Sequence, residues 1–453
     1  MTALRFEASG GGPPSPASNL SAMLHVTGGR PLVGRVAIGG SKNASLPIMA
    51  ASMLTCEPVR LSNVARVADT ELMARILGEI GVVVQPQGPG RLAISAGSLA
   101  GSVPDDLGRR MRASIVLLGA LVARAGQARV PKPGGDQIGA RRVEQHIRGL
   151  RAMGAEVTET AMEFVARSPG RLRGARVVLD MPTVTGTENI IMAAVLAEGR
   201  TEIYNAAREP HVQDLCRFLC SMGARIGGVG TDEIVVDGVR RLRGTEHRVI
   251  PDYLEAGTYA IAVAAAGGDV TLEDSPPQDL PSVLLKLQEA GAEVETGAGL
   301  IRVRRDPSRR LHPVDLWTWA HPGFPTDLQP QYVALMTQAE GSSIITEPIY
   351  ENRFQHVVEL MRMGARITTQ GRDAFVRGPA RLHGTDVTVP DIRSGAALVI
   401  AALCASGTTE IGEAWHIERG YEDMPAKLRA LGAAVERGEP DAALGQPALR
   451  AKP

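Results

Sequence analysis

One glycine-centred phrase recurs six times along the chain, as EIGVVV, AMGAEV, SMGARI, EAGAEV, RMGARI and ALGAAV. Its glycines, Gly81, Gly154, Gly223, Gly291, Gly364 and Gly432, stand 73, 69, 68, 73 and 68 residues apart. A period this regular means that one supersecondary unit is used repeatedly, which limits the admissible folds before any single residue is weighed. Each glycine closes a stretch with amphipathic helical spacing, where a helix ends in the left-handed conformation that glycine adopts cheaply. The residues after it open a strand.

Upstream of each amphipathic stretch lies a second helical segment rich in Ala, Leu, Ile and Met: NASLPIMAASML, RASIVLLGALVARA, TENIIMAAVLAEG, EAGTYAIAVAAAGG, PQYVALMTQAEG and RSGAALVIAALCASG. Helices apolar on most faces are buried. A short strand follows each (VRLSNV, ARVPKP, TEIYNA, DVTLED, SIITEP and TEIGEA), and then a loop leads into the amphipathic helix. A chain of 453 residues is too long for one ordinary core. The pattern predicts an α/β fold of two domains with three units each, buried helices inside and short sheets around them: a two-domain inside-out α/β barrel. A solenoid is the rival, but solenoid repeats are shorter and need distinct caps. The first and last strands are expected to pair, so that 23–41 plus 251–438 form one domain and 42–250 the other. Crossovers then fall near Gly40–Ser41 and Val249–Asp252.

The 49 basic and 49 acidic residues cancel, so no global field draws in nucleic acid or an anionic membrane, and any anion site must be built locally. No apolar run reaches membrane-spanning length and the start lacks the apolar core of a secretory signal, which leads us to expect a cytoplasmic protein. Residues 1–22 and 439–453 are rich in Gly, Pro, Ala and Ser and are expected to be a loose extension and tail. Cys56, Cys216, Cys220 and Cys404 show no paired spacing and are expected to be buried free thiols.

Polar groups that a core does not need stand where the buried helices begin: Lys42 and Asn43, Arg112, Glu188 and Asn189, Glu255, Asp327 and Arg393. A second set follows the strands: Asp136 and Arg141, Arg208 and Glu209, Glu351 with Arg353, and Glu418 with Arg419. All are expected at helix starts, where a cation opposes the macrodipole at a cost of about 0.3–1 kcal/mol. A bound anion gives the recurrence a reason, since helix N–H groups, Arg forks and a Lys together hold phosphates and a carboxylate. The alternative is a set of caps and surface ion pairs, and for Glu188 or Glu255 alone it serves equally well. Asp136 lies in PKPGGDQIGARRVEQH, a lone acid in a glycine-flanked loop ahead of three basic side chains, Arg141, Arg142 and His146. It reads either as a polar loop tip or as part of an active site.

The segments GGSKNASLPIMAA, MRASIVLLGALVARAGQARVPKPGGDQIGARRVEQHIRGL, NAAREP, IPDYLEAGTY, HPGFPTDLQPQ, ENRFQHVVELMRMGA and HIERGYEDMPAKLRALGA run in order from about Leu24 to Arg437. In them the chain resembles the UDP-N-acetylglucosamine 1-carboxyvinyltransferase family, enolpyruvyl transferases of two domains, each with three repeats around inner helices. The resemblance implies transfer of the enolpyruvyl group of phosphoenolpyruvate to the 3-hydroxyl of UDP-N-acetylglucosamine through a tetrahedral intermediate, in the first committed step of peptidoglycan synthesis. It implies no cofactor and no metal. Carried over by motif, Lys42 and Asn43 meet phosphoenolpyruvate, Arg112 and Arg141 grip its phosphate, and Arg419, helped by Arg353 and Arg393, closes on its carboxylate. Arg141, Arg142, Val143, Glu144 and Gln145 hold the uridine diphosphate, with Thr183 a further candidate. Asp327 takes the sugar hydroxyl proton, and the backbone near Ile349 orients the sugar. Asp136, on a mobile lid at 131–141, stands where most members carry a cysteine and is implied to be the proton donor to the methylene carbon. Fosfomycin, which alkylates that lid thiol in the family, then has no thiol to attack.

Two other departures concern Met181 and Pro182 in DMPTVTGTEN, and His211 in AREPHV, where the family often has an acid and a surface histidine at a helix start is expected. The 3-phosphoshikimate 1-carboxyvinyltransferases share the six-unit design but lack the PGG(C/D)xxGAR lid and HPGFPTD. An inactive nucleotide-sugar-binding regulatory paralogue is the reading from another class, and the presence of Lys42, Asp327 and the arginines weighs against it.

Overall fold

All six repeat glycines have φ between +91° and +99°, the left-handed region in which a side chain is strained. They follow the helices Ala68–Glu79, Glu144–Ala152, Pro210–Ser221, Pro281–Glu289, His356–Arg362 and Met424–Ala430. A strand opens directly after each. The computed structural model describes residues 23–438, so the extension 1–22 and the tail 439–453 lie outside the described residues.

The second helix of each unit is Lys42–Ala51, Leu117–Ala125, Val184–Ala194, Tyr253–Ala266, Gln329–Met336 or Ile392–Cys404, and burial covers nearly its whole circumference. In Gln329–Met336 every residue is buried, as apolar all-round composition requires. Around these helices stand five four-stranded sheets and one three-stranded sheet, all open. The fold is mixed α/β. Buried apolar side chains form two separate cores, one drawn from 44–249 and the other from 24–38 together with 253–435.

The first described strand, Met23–Thr27, lies antiparallel between Thr408–Gly412 and Ala434–Gly438, so both chain ends complete the second core. The chain passes between cores twice, side by side: Ser41 N–H donates to Ile250 O at 2.8 Å and Asp252 N–H to Gly39 O at 2.8 Å. Asp252 joins the two cores there. Its Oδ1 accepts from Leu254 and Glu255 N–H, capping its own helix, while Oδ2 accepts from Lys42 N–H at 3.1 Å. Among the described residues no helix is long and apolar enough to cross a membrane.

Three expectations are corrected. All four cysteines are free, but only Cys216 is buried; Cys404 is half-buried, and Cys56 and Cys220 are exposed. Cys56 falls in the connection after an inner helix, and Cys220 lies on the outward face of Pro210–Ser221 with Arg217 and Ser221, between the buried Leu219 and Met222. Lys42, Arg112, Glu255, Asp327 and Arg393 do begin helices, whereas Glu188 and Asn189 lie a turn inside theirs, Arg419 follows the short helix Trp415–Glu418, and Asp136 is in an open loop. His211 does stand at a helix start, yet it is buried, stacked on Tyr253 with ring centroids 6.1 Å apart, because its helix packs that end against the other core.

Candidate active site

Charged side chains from both cores meet in the cleft between them. Lys42, the first residue of its inner helix, places Nζ 3.6 Å from Asp69 Oδ2. Arg419 arrives from the opposite side, donating from Nε to Asp69 Oδ1 at 3.1 Å and from Nη1 to Asp136 Oδ1 at 2.7 Å. All four side chains are largely buried. Burial disfavours the Lys42 ammonium, and Arg393 and Arg419 add to the lowering, with Asp69 the main opposing charge. Burial by itself would raise the Asp136 carboxyl, but Arg419, then Lys42 and Arg141, hold it below the usual carboxylate range.

A second cluster surrounds Asp327, in the single turn Thr326–Leu328. Arg353 Nη2 donates to Oδ1 at 2.8 Å, and Arg393 donates to Oδ2 from Nε at 3.2 Å and Nη2 at 3.1 Å. Both guanidiniums are buried, while the Asp327 side chain remains 27 % exposed. Burial would raise this carboxyl too, but Arg393, Arg353 and Lys42 keep it far below the ordinary range. Among the described residues Arg353 Nε and Arg393 Nη1, both buried, have no hydrogen-bond partner. The sequence reading gave these two arginines to a donor carboxylate; here their bonded partner is Asp327.

Arg112 and Arg141 form a third group. Arg112 Nη2 donates to Arg141 O, and among the described residues neither guanidinium forms a salt bridge, Glu144 acting on Arg112 only as a more distant charge. Burial and the charge of Arg141 push Arg112 down to about 10. Two cations packed together without a counter-ion are a poor arrangement for stability and a good one for phosphate. Arg141 has φ +44°, a conformation that costs a non-glycine residue on the order of 1 kcal/mol or more and that concentrates at functional positions.

The loop 131–141 is docked onto the opposite half. Gln137 O accepts from Asn352 Nδ2 at 2.7 Å and Gln355 Nε2 at 2.6 Å, Ile138 O accepts from Asn352 N–H, and Ala140 N–H donates to Glu351 Oε1 at 2.7 Å. Its glycines permit close approach on both sides: a Cβ on Gly134 would lie 1.9 Å from Arg109 O in the loop's own core, and one on Gly139 would lie 2.6 Å from Glu351 Oε2 in the other. Beyond the loop, Arg142 and Glu144 are exposed and Val143 is buried. Gln145 Oε1 accepts from Asp180 N–H at 2.7 Å and its Nε2 donates to Met181 O, which brings 141–145 beside Thr183, half-buried at the start of its helix. Ile349 N–H donates to Glu347 Oε1 at 2.9 Å, and Tyr350 after it presents its ring to both Arg141 and Arg353. Asn43 is half-buried beside Lys42. His146 is not a third cation: burial and Arg112 push it down to about 3, and Asn189 and Thr185 meet its ring nitrogens.

Sequence reasoning missed Asp69 and Tyr421. Tyr421 lies under Arg393, 5.2 Å from guanidinium to ring centroid, and its hydroxyl bonds Thr258 and Gln331. The available signal for Asp69 was an acid in a helix's first turn, which the macrodipole alone explains.

A family model described as EPSP synthase (3-phosphoshikimate 1-carboxyvinyltransferase) matches residues 26–428. Among solved structures, the enolpyruvyl transferase NikO from Streptomyces tendae superposes with a TM-score of 0.82 at 25 % identity, covering 92 % of this chain and 99 % of its own. An EPSP synthase from Acinetobacter baumannii shares the fold, with a TM-score of 0.70 at 18 % identity over 92 % of this chain and all of its own. The fold is thus that of the enolpyruvyl transferases as a class. A protein of Granulibacter bethesdensis named UDP-N-acetylglucosamine 1-carboxyvinyltransferase is 47 % identical over 417 residues, 91 % of this chain and 99 % of the relative. The chain belongs to the UDP-N-acetylglucosamine 1-carboxyvinyltransferase family of enolpyruvyl transferases.

Proposed function

We propose that the protein transfers the enolpyruvyl group of phosphoenolpyruvate to the 3-hydroxyl of UDP-N-acetylglucosamine and releases phosphate. The observation that carries this reading is the convergence of Lys42, Arg112, Arg141 and Arg419, from both cores, on a cleft that also holds Asp327. On this reading Arg112 and Arg141 take the donor phosphate together with Lys42 and Asn43. Arg419 takes the donor carboxylate, helped by the charge of Arg353 and Arg393. Such forks are directional and contribute most when closure excludes water. Asp327, ionised, accepts the acceptor hydroxyl proton as the oxygen adds to C2 of phosphoenolpyruvate. Asp136 supplies the proton to C3, and loss of phosphate with removal of a C3 proton regenerates the enol ether.

The ion pairs of Asp136 oppose that donor role while Arg419 is bound to it. A donor carboxylate that captures Arg419 removes the pair, and its phosphate places negative charge beside Asp136; both changes raise the carboxyl toward its protonated form. The segment 141–145 with Thr183 would hold the uridine diphosphate, and Ile349 the sugar. We read the two cores as domains, 42–250 and 23–41 plus 251–438, each an inside-out barrel of three units, with 131–141 as the lid. The reaction places the protein in the cytoplasm at the first committed step of peptidoglycan synthesis, upstream of cell shape and division.

The family model's description favours one other acceptor, shikimate 3-phosphate. Phosphate release from phosphoenolpyruvate separates the two: we expect it with UDP-N-acetylglucosamine and not with shikimate 3-phosphate. The reverse result, or release with neither, overturns the proposal.

A further inference from the structure

Asp69 lies in the first turn of the helix Ala68–Glu79, a common place for an acid, yet its carboxylate does not bond the turn. Instead the two oxygens are divided between cations that come from different cores. Oδ1 accepts from Arg419 Nε at 3.1 Å, and Oδ2 faces Lys42 Nζ at 3.6 Å. The side chain is buried, and its helix packs on the inner helix that begins with Lys42.

Two buried cations aimed at one place repel each other, and they respond differently. An arginine stays charged, whereas a buried lysine sheds its proton. A carboxylate between them keeps the lysine charged and fixes the plane of the guanidinium. Asp136 also pairs with Arg419, but Asp136 is on the loop 131–141; Asp69 is the partner anchored in a packed helix. We infer that Asp69 is a positioning residue of the donor site, holding Lys42 as an ammonium and setting Arg419 across the cleft so that both meet one anionic donor. The inference rests on the reading of phosphoenolpyruvate as that donor.

The groups facing Lys42 are Asp69, Asp136 and Asp327, which favour its charge, and Arg393 and Arg419, which oppose it, as burial does more strongly. Removing the Asp69 charge therefore lowers the Lys42 pKa further. Donor capture needs the ammonium, so it is lost as pH rises through that pKa, and the alkaline limb moves to lower pH.

The test compares the dissociation constant of phosphoenolpyruvate against pH, with UDP-N-acetylglucosamine saturating, in protein carrying Asp136→Ala, which removes both turnover and the titration of Asp136, with Asp69 kept or changed to Asn or Glu. Asp69→Asn should bring the alkaline limb of binding down by about one pH unit, and so lose about tenfold in affinity above it, while the affinity for the nucleotide sugar changes little. Asp69→Glu, which keeps the charge, should restore most of the limb. A uniform loss of affinity at every pH, or an Asp69→Asn limb that coincides with that of the protein keeping Asp69, overturns the inference. If Asp69→Asn does not fold, Asp69→Glu decides alone: a limb displaced as far as one unit, despite the retained charge, overturns it. A wild type that releases no phosphate defeats the donor reading instead, so the two failures are distinct.

Discussion

Arg419 donates to Asp136 at 2.7 Å across the cleft, joining the last unit of the chain to a loop 283 residues earlier. The same guanidinium is the group expected to grasp the donor carboxylate. One cation therefore has two claimants, and the protonation of Asp136 depends on which holds it.

Asp136 should make the activity acidic in its pH dependence. Its carboxyl is held low in the free protein, so the proton-bearing form grows as pH falls, and kcat should decline with rising pH well before a thiol enzyme does. Asp136→Cys introduces a group with an ordinary pKa of about 8.5 and should carry the alkaline limb upward by more than one unit. It should also gain time-dependent inactivation by fosfomycin, to which the unmodified protein should be insensitive. Asp136→Ala should lose most activity. Inactivation of the wild type with an adduct on Asp136, or full activity in Asp136→Ala, refutes the assignment.

Asp327→Asn should lower kcat by about 10²–10⁴-fold and leave nucleotide-sugar affinity within about tenfold, because a general base acts in the chemical step. With Arg353 and Arg393 bound, Asp327 stays ionised well into the acid range, so it should impose no acidic limb on kcat above about pH 4. Asp327→Ala should also lower Tm more than Asp327→Asn, since it leaves two buried guanidiniums without an acceptor. Calorimetric binding and thermal melts of the two variants check both statements.

The docked loop should be loosened by either partner. Glu351→Ala removes the acceptor of Ala140 N–H, and Gly139→Ala drives a Cβ into Glu351. Each should speed tryptic cleavage at Arg141 and Arg142 and raise the KM for UDP-N-acetylglucosamine by about tenfold or less, the scale of one exposed charge-assisted hydrogen bond. Unchanged cleavage in both would mean that the loop is held by something else.

Arg66 and Glu422, like Arg419 and Asp136, pair across the two cores, so this arrangement is a closed one. Small-angle scattering should find the ligand-free protein more extended in solution and the complex with both substrates near the closed dimensions. A radius of gyration that does not fall on binding rejects domain closure.

The parts of this molecule that depend on local sequence were readable from it. The six glycines and the inner helices follow from period and apolarity, and the pairing of Met23–Thr27 with Ala434–Gly438, a distant contact, was expected only from the count of units. What escaped depends on partners far away. Asp69 acquires its meaning from Arg419, 350 residues later, and nothing in VADTEL announces it. His211 reads as a surface residue until Tyr253 from the other core covers it. Cys220 follows Cys216 by one turn but falls on the side of its helix that Arg217 and Ser221 also expose. Arg353 and Arg393 were found by motif, and their shared carboxylate only by geometry.

The first described strand is held between two strands near the other end of the chain. At a synthesis rate of about 5–20 residues per second, Met23–Thr27 waits roughly 20–80 s for Ala434–Gly438 to leave the ribosome. The core built from 44–249 faces no such delay, since all its side chains emerge in one uninterrupted stretch. Translation therefore orders the assembly: the part carrying Lys42, Asp69 and Asp136 is finished first, and the arginines of the later part close onto a surface already in place.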